Sequence, residues 1–501
     1  MPLSKLQEIR AAGVSGRTVG LSDGIIERFA ATNAALRLVV REAAELFGEL
    51  RASHPELLAL DEPEQIAALQ VGVLNLYQAG AINPYVPLAA RGPWIVTSKG
   101  AVLHDSGGYG MLGLGHGPQE ILDTMARPAV MANVMTASFS QARFVAAMRS
   151  EIGSRRDGGC PFDRFVCINS GSEAMTLAAR LSDVNAKEHT DAGGRHAGRA
   201  IKVIALRGGF HGRTDRPAGF SDSTRDAYMK HLASFRGRDD LLTVAPNDIA
   251  QLRRAFARAE RERWFIEALL LEPVMGEGNP GLAIDVEFYD VARQLTAGHG
   301  SLLVVDSIQA GLRAHGFLSI VDYPGFEDAL PPDVEAYSKA LNAGQYPLSV
   351  LALSEDSSEL YRHGVYGNTM TTNPRALDVA CAVLASITPD VRANIEARGR
   401  ELVDKLRALA ADLDGEIVDV QGTGLLASAE LAPDLPCHDF GSVEEHMRLN
   451  GLGVIHGGAN SLRYTPHFAI DSDEIDLMVA GTGEAIRAVR SSLGGRSRAE
   501  T

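Results

Sequence analysis

Four stretches of this chain are apolar with almost no alternation: FVCI (165–168), AIKVIAL (200–206), FIEALLL (265–271) and LLVV (302–305). Strands buried on both faces read this way, because a sheet with one wet face shows a polar residue at every second position. Helix-length segments lie between the runs, so strand and helix alternate. That alternation selects a mainly parallel sheet covered by helices. In open sheets of this kind ligands bind beyond the carboxyl ends of the strands, and the chemistry is to be sought there.

The 501 residues predict two or three packed units. Residues 22–80 read as helices, including EPEQIAALQVGVLNLYQAG (62–80), and 92–118 as short strands and glycine turns. Strand–helix alternation begins near 120. After about 375 the pattern is a long helix, PRALDVACAVLASITPDVRANIEARGRELVDKLRALAADL, then short strands and a final helix. The expected divisions are a helical extension (1–88), the first part of a small domain (89–119), a large domain (120–375) and a C-terminal small domain (376–495). The fold class is therefore α/β, with a smaller α+β domain built from both ends of the chain.

A net charge of -15 argues against a broad nucleic-acid or anionic-membrane footprint, although a local basic pocket for a small anion stays open. The apolar runs fall short of the ~20 residues that a membrane span needs. The N-terminus, MPLSKLQEIRAAG, lacks the apolar core of a secretion signal. Four scattered cysteines form no CxxC pair and no metal spacing, so reduced thiols, no metal and a cytoplasmic location are expected.

Five segments at the strand ends carry candidate chemistry. In NSGSEAMTLAARL (169–181), Gly171 and Ser172 open a helix whose free N–H groups suit a phosphate; an ordinary capping box, Ser170 to Glu173, is the plainer reading of the motif alone. Asp306 ends LLVV and needs a donor or cation, such as a protonated ring nitrogen; a helix cap or an arginine partner is the plainer reading. Lys339, in VEAYSKALNAG, can serve as a nucleophilic amine if partly desolvated, and otherwise is a surface lysine. GGFHGRT (208–214) sets Phe210 to stack on a planar ring and Arg213 to hold a carboxylate, or simply packs one and solvates the other. YGNTMTTNP (366–374) offers hydroxyls to a phosphate, or closes a loop.

The order and spacing of these parts, together with EPVMGEG (272–278), resemble the class III (ornithine/ω-amino acid type) aminotransferases over about 90–490. That resemblance implies a type I fold for pyridoxal 5′-phosphate (PLP), with a mostly parallel seven-stranded sheet. It implies that Lys339 holds PLP as a Schiff base and that Asp306 faces the pyridine nitrogen. It likewise implies that Gln309 lies near the phenolic oxygen, that Gly171 and Ser172 hold the phosphate, and that Phe210 stacks on the ring with His211 beside it. Thr369 matches the threonine that reaches the phosphate of a neighbouring subunit, which implies a homodimer. Arg463, in NSLRYTPHFAI, matches the arginine that binds a substrate carboxylate, and Glu277 the glutamate that shields it. Tyr109 and Arg213 match positions that hold the distal group of the substrate. The activity implied is transfer of an amino group from an amino acid or ω-amine to an oxo acid such as 2-oxoglutarate. Racemisation, aminomutation or decarboxylation on the same fold is the alternative. Two positions depart from the family pattern: Ser307 replaces the usual glutamate of Asp-Glu-(Ile/Val)-Gln, and Met275 replaces glutamine.

Overall fold

The computed structural model describes residues 2–12, 16–130 and 132–499. The chain divides into two compact units, one of 120–396 with 422–426, the other of 1–119, 397–421 and 427–501.

The larger unit is built on seven strands: β1 (Arg164–Ile168), β2 (Ala200–Leu206), β3 (Leu241–Val244), β4 (Trp264–Leu271), β5 (Leu302–Asp306), β6 (Val334–Tyr337) and β7 (Ser349–Leu353). Their order is β1-β7-β6-β5-β4-β2-β3. Only β7 runs antiparallel to its neighbours; β6, β5, β4, β2 and β3 pair in parallel. All four apolar runs are strands of this sheet, as a sheet covered on both faces requires. Helix Gly171–Thr190 buries Ala174, Leu177, Ala178 and Leu181 against Val304, Ala336 and Leu351. Each fully buried leucine contributes about 1.5–3 kcal/mol relative to exposure.

Two expected helices end early. The long helix expected over 374–413 is two, Pro374–Ser386 and Pro389–Asp412. Pro389 has no N–H to donate and disfavours helical backbone at the residue before it, so the first helix stops short of it. In the smaller unit, EPEQIAALQVGVLNLYQAG is helical only over Glu62–Leu69. Gly72 takes φ 81, a left-handed conformation that ends an α-helix, and the apolar side chains after it are exposed.

The smaller unit also carries helices Asp23–Thr32 and Ala34–Ser53, capped by Ser22 and Asn33. Strands Pro87–Arg91, Trp94–Thr97 and Val102–Asp105 form a sheet with Leu452–Gly453 from the far end of the chain. A second sheet orders Ile417–Thr423, Leu426–Leu431, Ser461–Tyr464 and Ile455–Gly457. Among the described residues no helix is long and apolar enough to cross a membrane.

Candidate active site

Asp306 is the last residue of β5 and is 4% exposed. A carboxylate so placed needs a donor or a cation. Its Oδ1 accepts the Ile308 amide at 3.1 Å, and its Oδ2 lies 3.0 Å from His211 Nδ1. His211 comes from the glycine-rich loop after β2, and its amide donates to Ser221 Oγ at 2.9 Å. Its Nε2 is buried and has no hydrogen-bond partner among the described residues.

Behind this pair lies Glu272, the acid that follows β4. It accepts the Phe210 amide at 3.0 Å and the Gly276 amide at 2.8 Å, so it ties the aromatic loop to the EPVMGEG loop. Burial pushes its carboxyl up to about 7; the His211 ring opposes that shift and the Asp306 charge adds to it.

Lys339 follows β6 and opens a single turn, Lys339–Asn342. Its φ is 42, a left-handed backbone that costs a non-glycine residue about 1–2 kcal/mol. Strain of this kind persists where the surroundings fix the residue, and functional sites are the usual place. Its Nζ donates to Gln309 Oε1. The contact is possible because β5 and β6 pair in parallel, with Asp306 opposite Ala336. Gln309 Nε2 is buried without a partner among the described residues. A side chain at Gly276 would collide with Gln309.

The segment after β1 caps the 20-residue helix Gly171–Thr190. Ser170 Oγ accepts the Glu173 amide at 3.3 Å, and the Glu173 carboxylate accepts the Asn169 amide at 2.8 Å. The cap is therefore real, yet the amides of Gly171 and Ser172 donate to nothing among the described residues. The capping reading holds, and two amides stay free for a ligand. A Cβ on Gly171 would lie 2.8 Å from Ile308 Cδ1, and one on Gly212 2.7 Å from Ser172 Oγ. The His211 loop and the residues after Asp306 thus close around the helix start.

The remaining candidates in this unit lie near those loops. Phe210 is half-buried with the Arg213 guanidinium 5.3 Å from its ring centre, and Arg213 pairs with Glu277 at 3.7 Å. Thr369 is exposed, and its carbonyl accepts Asn133 Nδ2 at 3.1 Å. Next to it, Asn368 Nδ2 donates to Glu173 at 2.7 Å, which holds the polar turn to the helix start.

Arg463 and Tyr109 belong to the smaller unit. Arg463 is 7% exposed on strand Ser461–Tyr464, opposite Ser428 and Ile455. Tyr109 sits in a glycine turn at φ 50. Burial raises its hydroxyl, and the charges of Arg448, Glu444 and Arg463 act on it in turn. Tyr109 and Arg463 thus share one electrostatic neighbourhood within that unit.

Sequence reasoning missed Glu272 and Glu335. Glu272 carried a usable signal, an acid directly after LLL. Glu335 lies mid-strand in VEAY and is fully buried; Ser307 Oγ donates to it at 2.6 Å. Ser307, which takes the place of the family's glutamate, therefore meets a carboxylate supplied by the next strand.

A sequence model of the class-III aminotransferases matches residues 77–486. The chain belongs to that family. It is 28% identical over 334 residues to an acetylornithine aminotransferase of Nostoc, covering 65% of this chain and 73% of that one. It is 31% identical over 333 residues to an acetylornithine/succinyldiaminopimelate aminotransferase of Yersinia pestis, covering 65% and 75%. Among solved structures, the ornithine aminotransferase of Toxoplasma gondii superimposes with a TM-score of 0.72 at 23% identity, over 88% of this chain and 99% of that one. The acetylornithine aminotransferase of Elizabethkingia anophelis gives 0.67 at 20% identity, over 86% and 100%. This class-III enzyme is a PLP-dependent aminotransferase on the type I fold.

The residues present fit the cofactor. Two unengaged amides at a long helix start suit its phosphate. A buried carboxylate at the end of β5 suits a protonated ring nitrogen, and a lysine amine reaches the same strand end through Gln309. The unpartnered Gln309 Nε2 is a donor left for a bound group, and the unpartnered His211 Nε2 is a ring nitrogen left for one.

Proposed function

We propose that this aminotransferase moves an amino group from a diamino acid of the ornithine type, free or N-acylated, or a related ω-amine, to an oxo acid such as 2-oxoglutarate. The contact of Lys339 with Gln309, directly beyond Asp306, is the observation that carries the reading. The similarity to acetylornithine and ornithine aminotransferases supports the donor class.

PLP supplies an electron sink that stabilises a carbanion on the donor's amine-bearing carbon. The protein's own residues do the rest. Gly171 and Ser172 hold the phosphate on their amides. Asp306 keeps a proton on the facing ring nitrogen, and His211 fixes the carboxylate that does so. Phe210 covers one face of the ring. With PLP bound, the neutral Lys339 amine would take a proton from the donor's amine-bearing carbon and hold it for return, placed for this by its contact with Gln309. Gln309 steers that amine. Arg463 binds the substrate's carboxylate as a charge-assisted pair, and the family resemblance gives Glu277 the shielding role. Tyr109 and Arg213 hold the distal end.

The working unit is a homodimer in the cytoplasm, with Thr369 serving the phosphate of the neighbouring subunit. Exposure of Thr369 on this chain supports that role, as do the bare side chains of Val130, Val134, Met135 and Phe139. The test is a single-turnover screen of ornithine, N-acetylornithine, other ω-amines and glutamate without acceptor. One oxo product per chain is the expected result. A racemised or decarboxylated donor with no oxo product refutes it.

A further inference from the structure

Three side chains of the smaller unit, none of them given a role above, converge on one another. His104 lies on strand Val102–Asp105, His467 in the loop after Ser461–Tyr464, and Glu474 in the first turn of helix Ser472–Ala499. Their ligand atoms all lie within 4.8 Å of one another.

His104 is 0% exposed and stands edge-on to Trp94, with ring centres 5.1 Å apart. Neither of its nitrogens makes a hydrogen bond among the described residues. Its Nε2 is 3.5 Å from Glu474 Oε1, which is also buried without a hydrogen bond. Glu474 Oε2, by contrast, has partners in His467 Nε2 at 3.1 Å and the Asp471 amide at 3.0 Å.

A buried polar group left unpaired costs about 1–3 kcal/mol, and such groups are rare in a folded chain. Here two of them face each other with a second imidazole alongside. Two imidazoles and a carboxylate are a donor set for a divalent transition metal. Tetrahedral zinc, with bonds of about 2.0–2.2 Å, sets its ligand atoms roughly 3.3 Å apart. The separations of 3.1 and 3.5 Å run to the two different oxygens of Glu474, and with one ligand atom taken from each side chain the three lie within 4.8 Å of one another, so a small closure of the cluster would seat the ion.

We propose that His104, His467 and Glu474 bind one divalent transition metal ion of the zinc type, with water in the fourth position, as a structural site. The ion ties both ends of the chain together. It also braces two loops: Asp105, next to His104, accepts the Gly107 and Gly108 amides at 3.0 Å each. Thr465, two residues before His467, accepts the Gly110 amide at 3.2 Å and donates to the Gly107 carbonyl. The Tyr109 turn and the Arg463 strand are thereby fixed to the C-terminal helix. The metal site itself does not depend on the substrate roles proposed for those two residues.

The test uses the full-length, PLP-loaded protein, incubated with zinc and dialysed against metal-free buffer. Elemental analysis is expected to return one zinc per chain, and cobalt loading a visible d–d absorption. His467→Gln and Glu474→Gln should each lower the stoichiometry at least tenfold with the far-ultraviolet circular dichroism unchanged. His467 is 11% exposed at the rim of the cluster, so its variant guards against a simple folding failure. The proposal is overturned if zinc, cobalt, nickel, manganese and iron all dialyse away, which would leave a hydrogen-bonded triad or a buried water. It is equally overturned if both variants retain a full equivalent.

Discussion

Glu335→Gln exchanges a buried carboxyl for a neutral group of the same shape. Ser307 Oγ, Ser319 Oγ and the Ile320 amide donate to the native carboxylate at 2.6, 2.5 and 3.0 Å. Burial outweighs them and pushes the carboxyl up from 4.5 to about 7. A carboxyl raised in the folded state favours folding only while it is protonated. Below about pH 4.5 its contribution is complete. As pH rises toward 7 the unfolded chain releases the proton first, stability falls, and above 7 the loss is full. The interval from 4.5 to about 7, at 1.36 kcal/mol per pH unit, amounts to about 3 kcal/mol. Glutamine removes that loss. Its oxygen still accepts from Ile320 and Ser307, and its nitrogen donates to Ser319 once that hydroxyl rotates. Thermal melts of the PLP-loaded protein across pH 5–8 read the difference. The variant should melt higher at pH 8, by roughly 6 °C at most for a unit of this size, with the margin shrinking toward pH 5. A variant that melts lower by a constant amount at every pH would mean that Glu335 is held as an anion, and the reasoning fails.

Lys339→Ala should lower kcat by about 10²–10⁴-fold, and borohydride reduction followed by peptide mapping should label residue 339 in the parent only. Arg463→Gln removes charge-assisted hydrogen bonds worth about 1.5–3 kcal/mol, so kcat/KM for 2-oxoglutarate should fall roughly 10–100-fold while melting is little changed. Gly171→Val brings a side chain against Ile308 and should weaken PLP retention, read by equilibrium dialysis. Burial lowers His299 from 6.5 to about 4, with His196 adding to it. The unfolded chain then takes up the proton first, so stability falls as pH drops from 6.5 toward 4. His299→Gln should flatten that acid limb of a melting curve.

The burial of Asp306 was legible because a carboxylate ending an apolar run has few places to go. Lys339 stood out only through its order after Asp306, since nothing local separates it from a surface lysine. Its left-handed backbone and its bond to Gln309 depend on how β5 and β6 pair, and neither strand writes that register in its own residues. The same register hid the partner of Ser307. An acid missing from the family pattern at one strand end returns as Glu335 from the next strand, 28 residues later in the chain. The helix expected over 62–80 failed for a different reason: apolar spacing continues past Leu69, but Gly72 breaks the backbone and those side chains cover nothing in this chain. The His104 cluster left no spacing signature because its members come from opposite ends of the sequence.

The smaller unit takes its strands from both ends of the chain, and Val102–Asp105 finds its parallel neighbour only in Leu452–Gly453. During synthesis the segment from 1 to 119 leaves the ribosome long before its partner exists. The residues proposed to hold the cofactor are all encoded between those ends and can be finished first. A nascent polypeptide can therefore capture its coenzyme before it can recognise anything to transform, and truncation near the last hundred residues should yield a coloured but idle protein.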